Sequence, residues 1–78
     1  MKWFMILAMT SGQEPLCDVP GVEAPCSYES RRDCEEATKS LVWDNREALA
    51  REAREWKSTR GVWIVVCESE SEVLSGDR

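Results

Sequence analysis

The sequence contains no histidine, the side chain that most often serves as a general base near neutral pH. Catalytic triads that depend on a histidine are therefore excluded. Neither a phosphate-binding loop nor a dinucleotide-binding glycine motif occurs in the 78 residues. We expect a protein that is not an enzyme and that binds no metal ion or other cofactor.

Long hydrophobic runs and basic clusters are also scarce. The first apolar run, Trp3 to Met9, is far shorter than the ~20 residues that cross a bilayer, so we expect no membrane span. A short signal peptide over residues 1–10 remains an alternative to a strand, although no small-residue cleavage site follows the run. Residues 10–29 and 68–78 each carry four acids, and the only base among them is Arg78. Direct nucleic-acid binding is therefore not expected.

The composition nevertheless predicts a folded protein. Hydrophobic residues make up 42% of the chain, and four tryptophans supply large apolar surfaces for burial. A chain of this length forms a single domain, residues 1–78, whose core alone gives little net stability. Disulfides, a structural metal or contact with another chain must supplement that core.

Two strands and one long helix are predicted. The strands cover residues 1–10 and 61–68, and in both of them the two alternating sets of side chains are apolar. A loop rich in cysteine and proline occupies residues 11–29, a helix residues 30–58, and an acidic tail residues 69–78. The fold class is α/β, more narrowly a small α+β domain with the order strand, long loop, helix, strand. If the helix starts near the end of the first strand, the two strands run parallel.

The helix carries its own signals. Ser30 with Asp33 approximates a capping box at its start, and Asp44 to Glu47 resembles a second cap, which predicts a kink near residue 44. Glu35 with Lys39 and Glu47 with Arg51 are expected to pair on the solvated face. The core-facing stripe consists of Cys34, Ala37, Thr38, Leu41, Ala48, Leu49 and Trp56, with Val42 and Ala53 at its edge.

Four cysteines allow three disulfide connectivities, of which we favour Cys17 with Cys26 and Cys34 with Cys67. The first pair would close the loop, and the second would join the helix start to the end of an antiparallel strand. A zinc site of four thiolates and a set of reduced, buried thiols remain alternatives. If the disulfides form, an extracellular, periplasmic or virion location is favoured, and otherwise the cytoplasm of a host cell.

A short pattern supports this layout. Tyr28, Ser30, Cys34 and Ala37 open the helix, and Trp63 with Cys67 marks the late strand. In these residues the chain resembles short uncharacterised proteins encoded by bacteriophages and bacteria. The resemblance implies a strand, helix and strand framework and a bridge between Cys34 and Cys67, and it implies no activity. The loop from Cys17 to Cys26 departs from that pattern.

The predicted strands point to a protein partner, because one helix can cover only one face of a sheet that is apolar on both. We therefore expect another chain, in a homo-oligomer or a larger assembly, to complete the sheet. The candidate contact residues are Trp43, Trp3, Trp63, Glu68, Glu70 and Glu72. Trp43 lies opposite the apolar stripe, so it either turns inward at the kink or projects as an anchor. Trp3 and Trp63 are also simple core candidates.

The function predicted from these features is a non-enzymatic interaction or structural module, plausibly a phage-encoded virion component or assembly-forming protein. The alternative is an acidic inhibitor of a host protein that occupies a basic, nucleic-acid-binding site. Glu68, Glu70 and Glu72 would share one strand face and could bind a hard cation such as calcium, although a solubilising strand edge is the favoured interpretation.

Overall fold

A computed structural model describes residues 2–70 of the chain. Its regular elements are the strands β1 (Trp3–Met9), β2 (Gly12–Pro15) and β3 (Trp63–Ser69) and the helices α1 (Arg31–Asp44) and α2 (Arg46–Glu55). Short 3-10 turns cover Leu16–Asp18 and Thr59–Gly61. Together these elements form a small α+β domain, as predicted.

The sheet is antiparallel throughout, with β1 between β2 and β3. The chain reverses at Thr10 and Ser11, and the loop that follows β2 returns it to the start of β1, where Tyr28 pairs with Trp3. The helices therefore begin beside the start of β1 and run in its direction. The parallel arrangement of the two long strands, which required the helix to start near the end of β1, is wrong.

The prediction of a single loop over residues 11–29 missed β2. Gly-Gln-Glu-Pro has none of the β-branched or aromatic residues that mark strands, so the segment gives no local strand signal. Its pairing with β1 comes from the tight turn, and Pro15 is tolerated because β2 is an edge strand.

The predicted helix over residues 30–58 is divided into α1 and α2 at Asn45, one residue past the predicted kink. The Ser30 side chain accepts a hydrogen bond from the Asp33 amide at 3.1 Å, which confirms the predicted cap. Asn45 does not cap α2 with its side chain. Its backbone amide and Nδ2 instead both donate to the Leu41 carbonyl oxygen, at 3.0 and 2.9 Å, and so end α1.

The core lies between the helices and one face of the sheet. The predicted stripe faces inward, with Cys34, Leu49 and Ala53 fully buried. Residues of the 11–29 segment complete this side, because Leu16, Val19 and Val22 are buried in the same cluster as Met5 and Leu7 of β1.

Both favoured disulfides are present. Cys17 is bonded to Cys26 and Cys34 to Cys67, with Cα separations of 5.1 and 6.2 Å. The second bridge needs α1 and β3 to be of similar length. The break at Asn45 shortens the helix, and β3 extends past Cys67 to Ser69, outside the predicted 61–68 range. Only residues 69 and 70 of the predicted tail lie in the described part of the chain, and β3 starts at Trp63 rather than at residue 61.

Candidate interaction surfaces

The second face of the sheet, which we call the open face, lies opposite the helices. Residues paired across an antiparallel sheet point to the same side, so the register places β1 and β3 side chains together here. Within residues 2–70, both helices and the 16–22 segment pack against the other face. The apolar side chains of the open face are those of Phe4, Ile6, Ala8, Ile64 and Val66.

Exposure on the open face is greatest at the start of β3, whereas Phe4, Ala8 and Val66 are half-buried. Ile6, on the central strand between Val66 and Pro15, is only 4% exposed. Ile64, on the outer strand, is 60% exposed, and Val62, just before β3, is 54% exposed. Isolated apolar side chains of this kind are common on protein surfaces, but a contiguous group of them marks an interaction surface.

Trp43 forms a separate exposed feature on the last turn of α1. It is 66% exposed even though the helix breaks two residues later, so the break does not turn the side chain inward. The guanidinium carbon of Arg46 lies 4.2 Å from the centre of its ring, and Arg46 Nη1 donates to the Trp43 carbonyl oxygen at 2.6 Å. The ring is therefore held in place by a stacked cation, and it is available to a partner.

The other predicted contact residues are distributed differently. Trp3 and Trp63 are half-buried and pack against the core on the helix side, away from the open face. Glu68 and Glu70 are half-buried rather than fully solvated, and Glu72 lies outside the described residues. The structure does not bring Trp43 together with the other two tryptophans, so the five described candidates do not form one site.

A carboxyl pair formed by half-buried Glu14 and buried Glu52 was missed by the sequence reasoning. Glu14 projects from β2 toward α2, where Glu52 is only 7% exposed and accepts a hydrogen bond from Trp56 Nε1 at 3.2 Å. Burial, followed by the hydrogen bond and the charge of Glu52 and by the charge of Asp18, raises the pKa of Glu14 to about 7. The available signal was the position of Glu52, which falls on the apolar stripe between Leu49 and Trp56.

The ion pairs on α1 also differ from the prediction. Glu35 pairs backward with Arg31, whose Nε lies 3.0 Å from Glu35 Oε2, and Arg32 approaches Glu36 at 3.6 Å. The predicted Glu35–Lys39 and Glu47–Arg51 pairs do not form among the described residues. Lys39 consequently has no ion-pair partner in residues 2–70.

Residues 2–70 provide few groups that could hold a metal ion. All four cysteines are in disulfides, so no thiolate is available to zinc, and residues 2–70 contain no group of three potential acidic or cysteine ligands. The calcium alternative includes Glu72, which lies outside that range. Neither α1 nor α2 is long and apolar enough to cross a membrane.

Comparison of the chain with known protein families, with curated proteins and with solved structures finds no match. The resemblance to short phage and bacterial proteins therefore stays a prediction.

Proposed function

We propose that this protein is a non-enzymatic interaction module that self-associates through the open face of its sheet, as an assembly-forming protein would. The observation that carries the proposal is the pair of exposed β-branched side chains, Val62 and Ile64, beside the apolar residues of β1. Burying them against a second apolar surface releases roughly 25 cal/mol for each Å² removed from water.

A second copy is the partner that best matches this surface. The centre of the open face, formed by Ile6, Ala8, Ile64 and Val66, has no charged side chain, so it offers nothing to a charged ligand. A two-fold axis through that centre would place the apolar side chains of one copy against those of the other. Glu68 would then lie toward the rim of the contact. Most soluble oligomers are built from such self-complementary patches.

The test is the mass of the full-length oxidised chain in solution, measured by light scattering and native mass spectrometry from about 1 to 500 µM. We expect a dimer or larger species that dissociates on dilution. Ile64→Lys should shift the population to monomer, because it places a charge at the centre of the contact. The side chain is exposed, so the fold should be retained, as near-ultraviolet circular dichroism can verify.

Trp43→Lys is the matched control, because it adds the same charge at another exposed apolar residue. It should leave the mass unchanged if the open face mediates association. A wild-type chain that remains monomeric at the highest concentration would contradict the proposal. Loss of association in Trp43→Lys alone would assign the contact to α1 instead.

A second candidate function is the acidic inhibitor. Asp18, Glu23 and Glu29 are all exposed on the loop between β2 and α1, and none of them has an ion-pair partner in residues 2–70. Such a surface suits a basic protein groove. Binding to a basic nucleic-acid-binding protein would weaken steeply with salt and with Asp18→Asn, whereas salt-independent binding would count against this function.

A further inference from the structure

A groove runs between α1 and the outer strand β3, on the side of the sheet that carries the helices. Its volume is about 520 Å³, and it is open to solvent along its length. Residues from α1 supply one wall, and β3 supplies the other. The lining residues are Arg31, Glu35, Thr38 and Lys39 from α1 and Val65, Val66 and Cys67 from β3.

The strand wall of the groove is a sheet edge. Among the described residues, Trp63 to Cys67 of β3 pair with β1 on one side and with no strand on the other. An edge strand presents backbone amides and carbonyls to which an extended peptide can add as a further strand. In domains that bind peptides in this way, backbone hydrogen bonds give affinity and alternate side chains give specificity.

The helix wall of the groove carries an excess of positive charge. The wall has two cations, Arg31 and Lys39, and one acid, Glu35. The Glu35 carboxylate already forms an ion pair with Arg31 Nε. Arg31 is further held near the Trp3 ring, at 5.8 Å from its guanidinium carbon to the ring centre. Of the two cations in the groove, Lys39 is therefore the one with no ion-pair partner in residues 2–70. This local charge is opposite in sign to the net charge of -5 of the whole protein.

The direction of side chains on an added strand follows from the sheet. Alternate residues would point to the helix side, level with Val65 and Cys67, where Arg31 and Lys39 stand. The residues between them would point to the open face, beside Ile64 and Val66. An occupant that suits both sides alternates acidic and apolar residues.

We propose that the groove between α1 and β3 binds an extended segment of another protein, in which acidic and apolar residues alternate, by strand addition to β3. This site adjoins the self-association surface, with which it shares Ile64 and Val66, and it does not depend on that surface being used. Lys39 is the residue that selects acidic segments, and the β3 backbone supplies the hydrogen bonds.

A fluorescein-labelled heptapeptide that alternates valine and glutamate is a suitable probe, used with the full oxidised chain in low salt. We expect a rise in fluorescence anisotropy on binding and slower hydrogen exchange of the amides in β3. Lys39→Glu should weaken binding roughly ten-fold through loss of attraction and added repulsion. Lys57→Glu, an identical charge change at an exposed residue outside the groove, is the control and should have little effect.

Two further peptides separate the backbone contribution from the charge contribution. A valine–lysine heptapeptide should not bind, and an N-methylated valine–glutamate peptide should bind much more weakly because it cannot form the backbone hydrogen bonds. The proposal would be overturned if Lys39→Glu and Lys57→Glu lost the same affinity for the valine–glutamate peptide. It would also be overturned if the N-methylated peptide bound fully.

Self-association is separated by titrating the peptide at wild-type concentrations where light scattering shows a monomer, because a substitution at Ile64 would also change the surface beside the bound peptide. Binding by the monomeric chain supports the groove proposal whether or not the chain associates at higher concentration. A second copy of the chain could occupy the groove instead of the peptide. In that case labelled peptide would be released as the wild-type concentration is raised, and the β3 amides would be protected from exchange in the concentrated protein alone. That result would overturn the proposal.

Discussion

Thr10 and Ser58 are joined by hydrogen bonds that fasten the end of β1 to the turn between α2 and β3. Ser58 Oγ accepts from the Thr10 amide at 3.1 Å and donates to the Val62 carbonyl oxygen. Because its single proton is used there, the 3.0 Å contact between the two hydroxyls must have Thr10 as donor. Thr10 Oγ1 in turn accepts from the Thr59 amide at 2.6 Å.

Removal of the Ser58 hydroxyl tests the importance of this network. Ser58 is 6% exposed, so Ser58→Ala leaves the Thr10 amide and the Val62 carbonyl without their partner in a part-buried site. We expect a loss of about 1–3 kcal/mol in the free energy of unfolding, measured by urea denaturation. Ser40→Ala, on the exposed face of α1, is the control and should cost nothing. Equal stability of the two variants would show that the network contributes little.

The elements that the sequence predicted well are those with strong local signals. Ser30 and Asp33 define a helix start by themselves, and the spacing of Cys34, Leu41 and Leu49 defines its buried side. The Cys34–Cys67 bridge follows once helix and strand are antiparallel. These features need only short stretches of chain to be recognised.

The features that were missed depend on contacts between distant residues. β2 has no intrinsic strand preference and forms because β1 is beside it. Glu52 looks like a misplaced charge on an apolar stripe until Glu14, which is 38 positions away, is placed against it. Glu35 had two possible partners at the same spacing, and only the geometry of the folded helix selects Arg31 over Lys39.

Stability should depend on pH through Glu14. Its folded pKa is raised from 4.5 to about 7, so the folded chain holds this proton more tightly than the unfolded chain. The protonated carboxyl can donate to Glu52, and this contribution is complete below about pH 4.5 and is lost as the pH rises toward 7 and above. Since the side chain is only half-buried, solvent screening limits the loss to about 1 kcal/mol.

Glu14→Gln checks this directly, because glutamine resembles the protonated acid at every pH. Urea denaturation at pH 5 and pH 8 should give a variant that is more stable than the wild type at pH 8, with little difference at pH 5. Glu23→Gln, on the exposed loop, removes the same charge and serves as control. An identical pH dependence in the wild type and in Glu14→Gln would contradict the assignment.

The two disulfides should contribute unequally. Cys34–Cys67 joins residues 33 apart and Cys17–Cys26 residues 9 apart, so the first restricts the unfolded chain more. The corresponding loop-closure contributions are roughly 3.7 and 2.6 kcal/mol. Replacing both cysteines of one bridge by alanine, followed by urea denaturation without reductant, should give the larger loss for Cys34 and Cys67. The opposite order would indicate that the 17–26 loop stabilises the fold through contacts such as those of Val19 and Val22.

Gly12 lies against Trp56 where the β1–β2 hairpin packs on the end of α2, and a substitution at Gly12 tests this contact. Gly12 has φ +153°, and a Cβ atom there would lie 2.9 Å from Cζ3 of Trp56. Gly12→Ala therefore combines backbone strain with a clash, and we expect it to cost about 1–3 kcal/mol. Gly21→Ala is the matched control, because Gly21 also has positive φ but its added Cβ would meet Ala48 at an ordinary 3.7 Å.

The clash can be separated from the strain by repeating Gly12→Ala in a Trp56→Leu background. Trp56→Leu is itself destabilising, since it loses packing and the hydrogen bond to Glu52. It also opens space for the new methyl group, so Gly12→Ala should cost about 1 kcal/mol less there than in the wild type. The same cost in both backgrounds would mean that the backbone at Gly12, and not its contact with Trp56, requires glycine at this position.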